Sequence, residues 1–135
     1  AFQLAEHLLK INRKADAIKV ADHVLKSISE KSFPTGLSQE DRTMILMTDV
    51  YMKAGGKEQA KSLTDKLMKF LEDDINYMNS LPADKRDFKM DDIQFELTAM
   101  NYLANEANNN GMQDIGKPMS DKINAYASLM PRQQR

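Results

Sequence analysis

The sequence predicts an all-α protein of six helices, arranged as an α-solenoid of about three antiparallel helical hairpins. Three observations predict it. Apolar residues recur at helical spacing along most of the chain, helix-stopping turns fall between the periodic stretches, and one pair of helices repeats an earlier pair 43 residues on. Stacked hairpins bury a continuous core that none could form alone.

The stretch Met44 to Phe70 shows the unit most clearly. Met44, Met47, Tyr51 and Ala54 lie on one helical face before Gly55-Gly56, and Ala60, Leu63, Leu67 and Phe70 do so after it. The glycine pair suits the junction because helices often end on a left-handed residue, where a Cβ is penalised.

Upstream, Leu4, Leu8 and Ile11 mark a helix over 2–11, and Asn12-Arg13-Lys14 its turn. Ala17, Ala21, Val24 and Ile28 mark a second helix to about Ser29, with Asp16 near its positive end. Phe33-Pro34-Thr35-Gly36 breaks it, and Ser38 is placed to cap the next helix.

The helix after Gly56 continues through Leu71, Ile75 and Met78 to a stop at Pro82. A fifth helix starts between Asp87 and Asp91, with Ile93, Leu97, Met100, Ala104 and Ala107 on one face, and ends in Asn108-Asn109-Asn110-Gly111. A sixth covers 112–129 through Ile115, Met119, Ile123 and Tyr126, and Pro118 either kinks it or opens it. The expected hairpins are 2–29, 38–79 and 88–130 within a single domain, with a disordered tail over 131–135.

Composition narrows the functional classes. With 135 residues, 19 basic and 20 acidic, the net charge of -1 gives no general attraction to nucleic acid or anionic membrane. The absence of Cys excludes disulfides, thiolate metal sites and cysteine nucleophiles. No apolar run is long enough to span a bilayer. The start AFQLAEHLLK has neither an initiating Met nor the regions of a signal peptide, so a fragment or processed product is expected. Six of the ten methionines, at 44, 47, 68, 78, 100 and 119, fall near core positions.

Catalytic patterns are weak. His7 and His23 could approach across the first hairpin, but zinc needs three or four ligands in fixed geometry. Adjacent acids such as Asp73-Asp74 and Asp91-Asp92 point about 100° apart on a helix, which does not make a pair across a cleft. Gly55-Gly56-Lys57 lacks the spaced glycines, the Ser/Thr and the preceding strand of a phosphate loop. No Ser sits in a nucleophile-elbow context. Neither cofactor nor metal is expected.

In register, Leu4 falls under Met47, Ala5 under Thr48, Leu8 under Tyr51, Asn12 under Gly55, Ala17 under Ala60 and Ala21 under Thr64. This spacing resembles the tetratricopeptide pattern, although the period of 43 exceeds that family's 34. The third pair is expected to keep the helix-turn-helix form without the spacing. The resemblance implies a groove lined by the first helix of each pair, which puts Glu6, Lys10, Asp49 and Lys53 on a protein- or peptide-binding face. Repeats that clamp a peptide carboxylate carry Asn where Glu6 and Asp49 stand, so a basic or neutral segment is expected.

Residues 5–25 and 51–82 also resemble the soluble C-terminal domain of a family of bacterial multi-pass membrane proteins, regarded as glycosyltransferases similar to protein O-mannosyltransferases. That resemblance implies a non-catalytic periplasmic module that positions an acceptor or partner. No catalytic residue is carried over, because the membrane-embedded part lies outside these residues. A free-standing tetratricopeptide-like adaptor, cytoplasmic in location, is the alternative.

Overall fold

A computed structural model describes residues 2–29 and 39–130. Within them are six α-helices and no strand: α1 (Phe2–Lys10), α2 (Lys14–Ser29), α3 (Gln39–Ala54), α4 (Lys57–Ser80), α5 (Asp87–Asn109) and α6 (Gln113–Ser128). A short 3₁₀ turn, Ala83–Lys85, joins α4 to α5. The expected break at 33–36, the Ser38 cap and the 131–135 tail lie outside the described residues.

The three tight turns are built alike. Each places one residue at positive φ: Asn12 at 62°, Gly55 at 82° and Gly111 at 76°. In each, the next amide donates to the carbonyl five residues back. Arg13 bonds Leu8 at 2.7 Å, Gly56 bonds Tyr51 at 2.8 Å and Met112 bonds Ala107 at 2.7 Å. This is the Schellman ending of a helix, which satisfies its last carbonyls. Four residues further on, the amides of Ala17, Ala60 and Gly116 close the first turn of the following helix.

The third pair keeps the helix-turn-helix form without the 43-residue period, as expected, and the local geometry of its turn matches the other two. Its left-handed glycine stands 56 residues after Gly55 rather than 43, because the α4 to α5 stretch is longer. Its small residue is Gly116 where the others have Ala17 and Ala60. A methyl group on Gly116 would lie 2.6 Å from the Ala104 carbonyl and 2.3 Å from the Asn108 side-chain oxygen, so α5 and α6 approach more closely than an alanine allows.

The two glycines of the central turn have different reasons. Gly55 has open space around it and is needed for its φ, whereas a Cβ on Gly56 would sit 3.1 Å from the Tyr51 ring. Across the turns, bulk is exchanged between these places: Tyr51 goes with Gly56, while Ala107 goes with the buried Met112.

Packing runs between neighbours in sequence and next-but-one neighbours: α1 on α2 and α3, α3 on α2, α4 and α5, and α6 on α5 and α4. Arg42 lies over the ring of Phe95, and Tyr102 bonds Asp49. Both pairs step seven residues along α3 and along α5, so those helices run parallel. Contacts of Lys57 with Asp114, and of Glu72 with Tyr126, show the same for α4 and α6.

The core comprises the expected apolar faces of α3 to α6, with Tyr51, Ile75, Ile93 and Leu103 among the most enclosed side chains. Five of the six expected methionines are buried and Met44 is half-buried; Met52 and Met112 join them. The stripe on α1 is different. Leu4 and Ile11 are about half exposed, at 52% and 49%, and Ala5 is the residue fully buried beside Leu8. α1 packs on α2 and α3, and that covers a narrower face than Leu4, Leu8 and Ile11 define. Pro118 lies inside α6, five residues after its start, rather than opening it.

Candidate functional site

Of the four residues expected to line a groove, two stand on α1 and two on the face that α3 turns to α5, and the ion pair joins the two on α3. On α1, Glu6 and Lys10 are exposed. On α3, Asp49 is buried at 5%, and Lys53 is half-exposed beside it. Spacing of four residues brings the Lys53 ammonium to the Asp49 carboxylate at 3.0 Å, and the Tyr102 hydroxyl donates to the other carboxylate oxygen at 3.1 Å. Asp49 is thus a structural acceptor between α3 and α5, with its charge compensated. Burial works against the Lys53 ammonium, but the Asp49 hydrogen bond and charge outweigh it and hold Lys53 above the usual lysine range.

Beside this ion pair the face is apolar. Leu46, Phe95 and Tyr102 are 40–46% exposed, and Phe88, 64% exposed, extends the α5 row at seven-residue intervals. The Arg42 guanidinium lies 5.7 Å from the Phe95 ring centroid, within the range of cation–π attraction. Periodicity arguments missed these aromatics because they were assigned by their distance from the core stripe. Their signal was the spacing of 88, 95 and 102, two turns apart.

A second concavity lies on the other side of α3. At about 100° per residue, Met44 and Tyr51 stand roughly 140–180° round the helix from Asp49 and Lys53. They floor a cleft of about 870 Å³ walled by α2 and α4. The Tyr51 hydroxyl donates to Asp22 on α2 at 2.5 Å. Burial first, then the Asp22 hydrogen bond and charge, push the Tyr51 hydroxyl well above the usual tyrosine range.

The remaining candidates are spread apart. His7 and His23 are both exposed. Asp73 pairs with Lys69 on its own helix, while Asp74 pairs with Lys89 of α5 at 3.5 Å. Among the described residues, no group of three or more His, Asp or Glu could hold a metal ion, and no helix is long and apolar enough to cross a membrane. Compared with protein-family models, with curated proteins and with solved structures, the chain matches none.

Proposed function

We propose that this chain is a tetratricopeptide-like solenoid module that binds by its first-helix face, over α1, α3 and α5, a basic or neutral segment of a partner protein. The observation that carries the reading is the exposed row of Leu46, Phe95 and Tyr102 beside the compensated Asp49–Lys53 pair. Aromatic side chains with partly apolar surroundings are the usual anchors of protein interfaces. With the Asp49 charge compensated by Lys53, the carboxylates offered to a basic segment include Glu106 and Asp92 on α5 and Glu6 on α1. Supporting the solenoid reading are the three equal turns and the parallel stacking of α3 with α5 and α4 with α6.

A random-peptide library displayed against the purified chain tests this. Enrichment of neutral, apolar-rich sequences whose binding falls at least about tenfold with Phe95→Ser and Leu46→Ser supports it. Both residues are partly exposed, so melting temperature should hold. A library that enriches nothing, or binders indifferent to both substitutions, overturns it.

The resemblance of residues 5–25 and 51–82 supports a placement for the module: the non-catalytic, periplasmic C-terminal part of a membrane glycosyltransferase-like protein, positioning an acceptor or partner. A hydrophobic region encoded upstream in the same reading frame is the expected finding. A stop codon directly before Ala1 would leave the free-standing adaptor instead.

A further inference from the structure

The cleft floored by Met44 and Tyr51 belongs to neither the aromatic face nor its ion pair. It arises where the stacking pattern is left open. α4 packs against its parallel neighbour α6, whereas α2 and α4 stand on either side of a space of about 870 Å³. That volume is within the range of binding sites, roughly 300 to 1,000 Å³.

Its lining is graded. α2 and α4 both run antiparallel to α3, so the Gly55 turn marks one end of the cleft and Met44 the other. At the turn end are Asp22, held by Tyr51, with Glu58 and Gln59. At the far end are Lys66, Phe70 and Met44, and Leu25, Lys26 and Leu63 lie between. Acidic groups therefore gather at one end and basic groups toward the other, over an apolar floor. All three walls are helices, whose backbone groups are satisfied internally, so an extended strand would find no edge to pair with. A helix satisfies its own backbone and offers side chains at i, i+3/i+4 and i+7 to such a floor.

We propose that this cleft is a second binding site, for one amphipathic helix of a partner protein, with acidic residues in its first turn beside Lys66 and basic residues in its last turn beside Glu58. The helix runs parallel to α3 and antiparallel to α2 and α4. Its apolar stripe lies on Leu25, Met44, Leu63 and Phe70. Acids at a helix start and bases at its end are also the order that the helix dipole favours, so the occupant's own stability and its fit select the same sequence. Met44 in the floor can adjust to side chains of different shape.

Two synthetic peptides of equal composition test it, each about 16 residues, or four turns, with the same apolar stripe. One carries Glu in its first turn and Lys in its last; the other has them exchanged. Fluorescence anisotropy with the full chain should show the acid-first peptide binding about tenfold more tightly. The exchange variant Glu58→Lys with Lys66→Glu should reverse the order; both residues are exposed, so a thermal melt should match the parent. Amide shifts on binding should fall at Leu25, Leu63 and Phe70. Equal affinities, no binding by either peptide, an order unchanged in the exchange variant, or shifts confined to Phe95 and Tyr102 would each overturn the proposal. Shifts confined to Phe95 and Tyr102 would put the peptide on the first-helix face; the other outcomes leave binding there untouched.

Discussion

Tyr51 and Asp22 are 29 positions apart in sequence, yet the Tyr51 hydroxyl donates to Asp22 Oδ1 at 2.5 Å. The bond ties α3 to α2 at the Gly55 end of the cleft. Tyr51→Phe keeps the buried ring and loses the bond, so a loss of about 1 kcal/mol is expected in urea denaturation. Tyr51→Ala also opens a cavity and should cost about 3–5 kcal/mol.

The same residue predicts how stability depends on pH. Tyr51, Tyr102 and Tyr126 are all raised, in each case first by burial and then by a neighbouring carboxylate, and Lys53 is raised by Asp49 against its own burial. The folded chain therefore holds these protons at pH values where the unfolded chain has released them. Their contribution is fully present below about pH 10, the ordinary tyrosine value, and is lost as pH rises beyond it. Urea midpoints should be level from about pH 8 to 9 and fall above 10, less steeply in Tyr51→Phe. A rising midpoint would contradict the assignment.

The three turns predict different costs for one added methyl group. At Gly55 and Gly111 nothing obstructs a Cβ, so alanine meets only the left-handed backbone penalty of about 1–2 kcal/mol. At Gly116 the obstruction includes the Ala104 backbone carbonyl, which no side-chain rotation relieves. Gly116→Ala should cost more than either, and Asn108→Ala should not restore it. Asn12→Gly should be nearly neutral. Calorimetric melting of the five variants gives the order.

Asp49→Ala removes the acceptor shared by Lys53 and Tyr102. Because Asp49 is buried, the expected loss is about 1.5–3 kcal/mol. In a double-mutant cycle with Tyr102→Phe, the two losses should fall short of adding, since they share one bond. Strict additivity would show that the contact carries no energy.

Pro118 lies inside α6, where it cannot donate to the carbonyl of Asp114. It is exposed, so Pro118→Ala should restore a helical bond without disturbing packing and raise the melting temperature by several degrees.

The helices of the second and third hairpins were legible because their apolar residues keep one period over many turns, as Leu67, Leu71, Ile75 and Met78 do on α4. Tyr51, Gly55 and Ala60 were legible through the repeat. The third copy was hidden by Ala107 and Gly116, which fill the same places with less bulk, and by the longer interval before Gly111. Placing Gly111 under Gly55, with a small residue five positions on, would have exposed it. The α1 stripe misled because periodicity gives a helix face but not how much of it a neighbour covers. Nothing local joins Asp49 to Tyr102, 53 residues away, and the width of a cleft between α2 and α4 depends on how both dock on α3.

The packing of helices on their next neighbours and, the α2–α4 pair apart, on the next but one has a kinetic consequence. Loops closed during folding are short, so little chain entropy is lost at each step and assembly should be fast. The central α3–α4 pair, with partners on both sides, is the natural nucleus. α1, at nine residues, is too short to persist as a helix before it docks. Amide exchange should then be slowest at Tyr51 and Leu67 and fastest in α1, so the chain opens from its first helix inward rather than all at once.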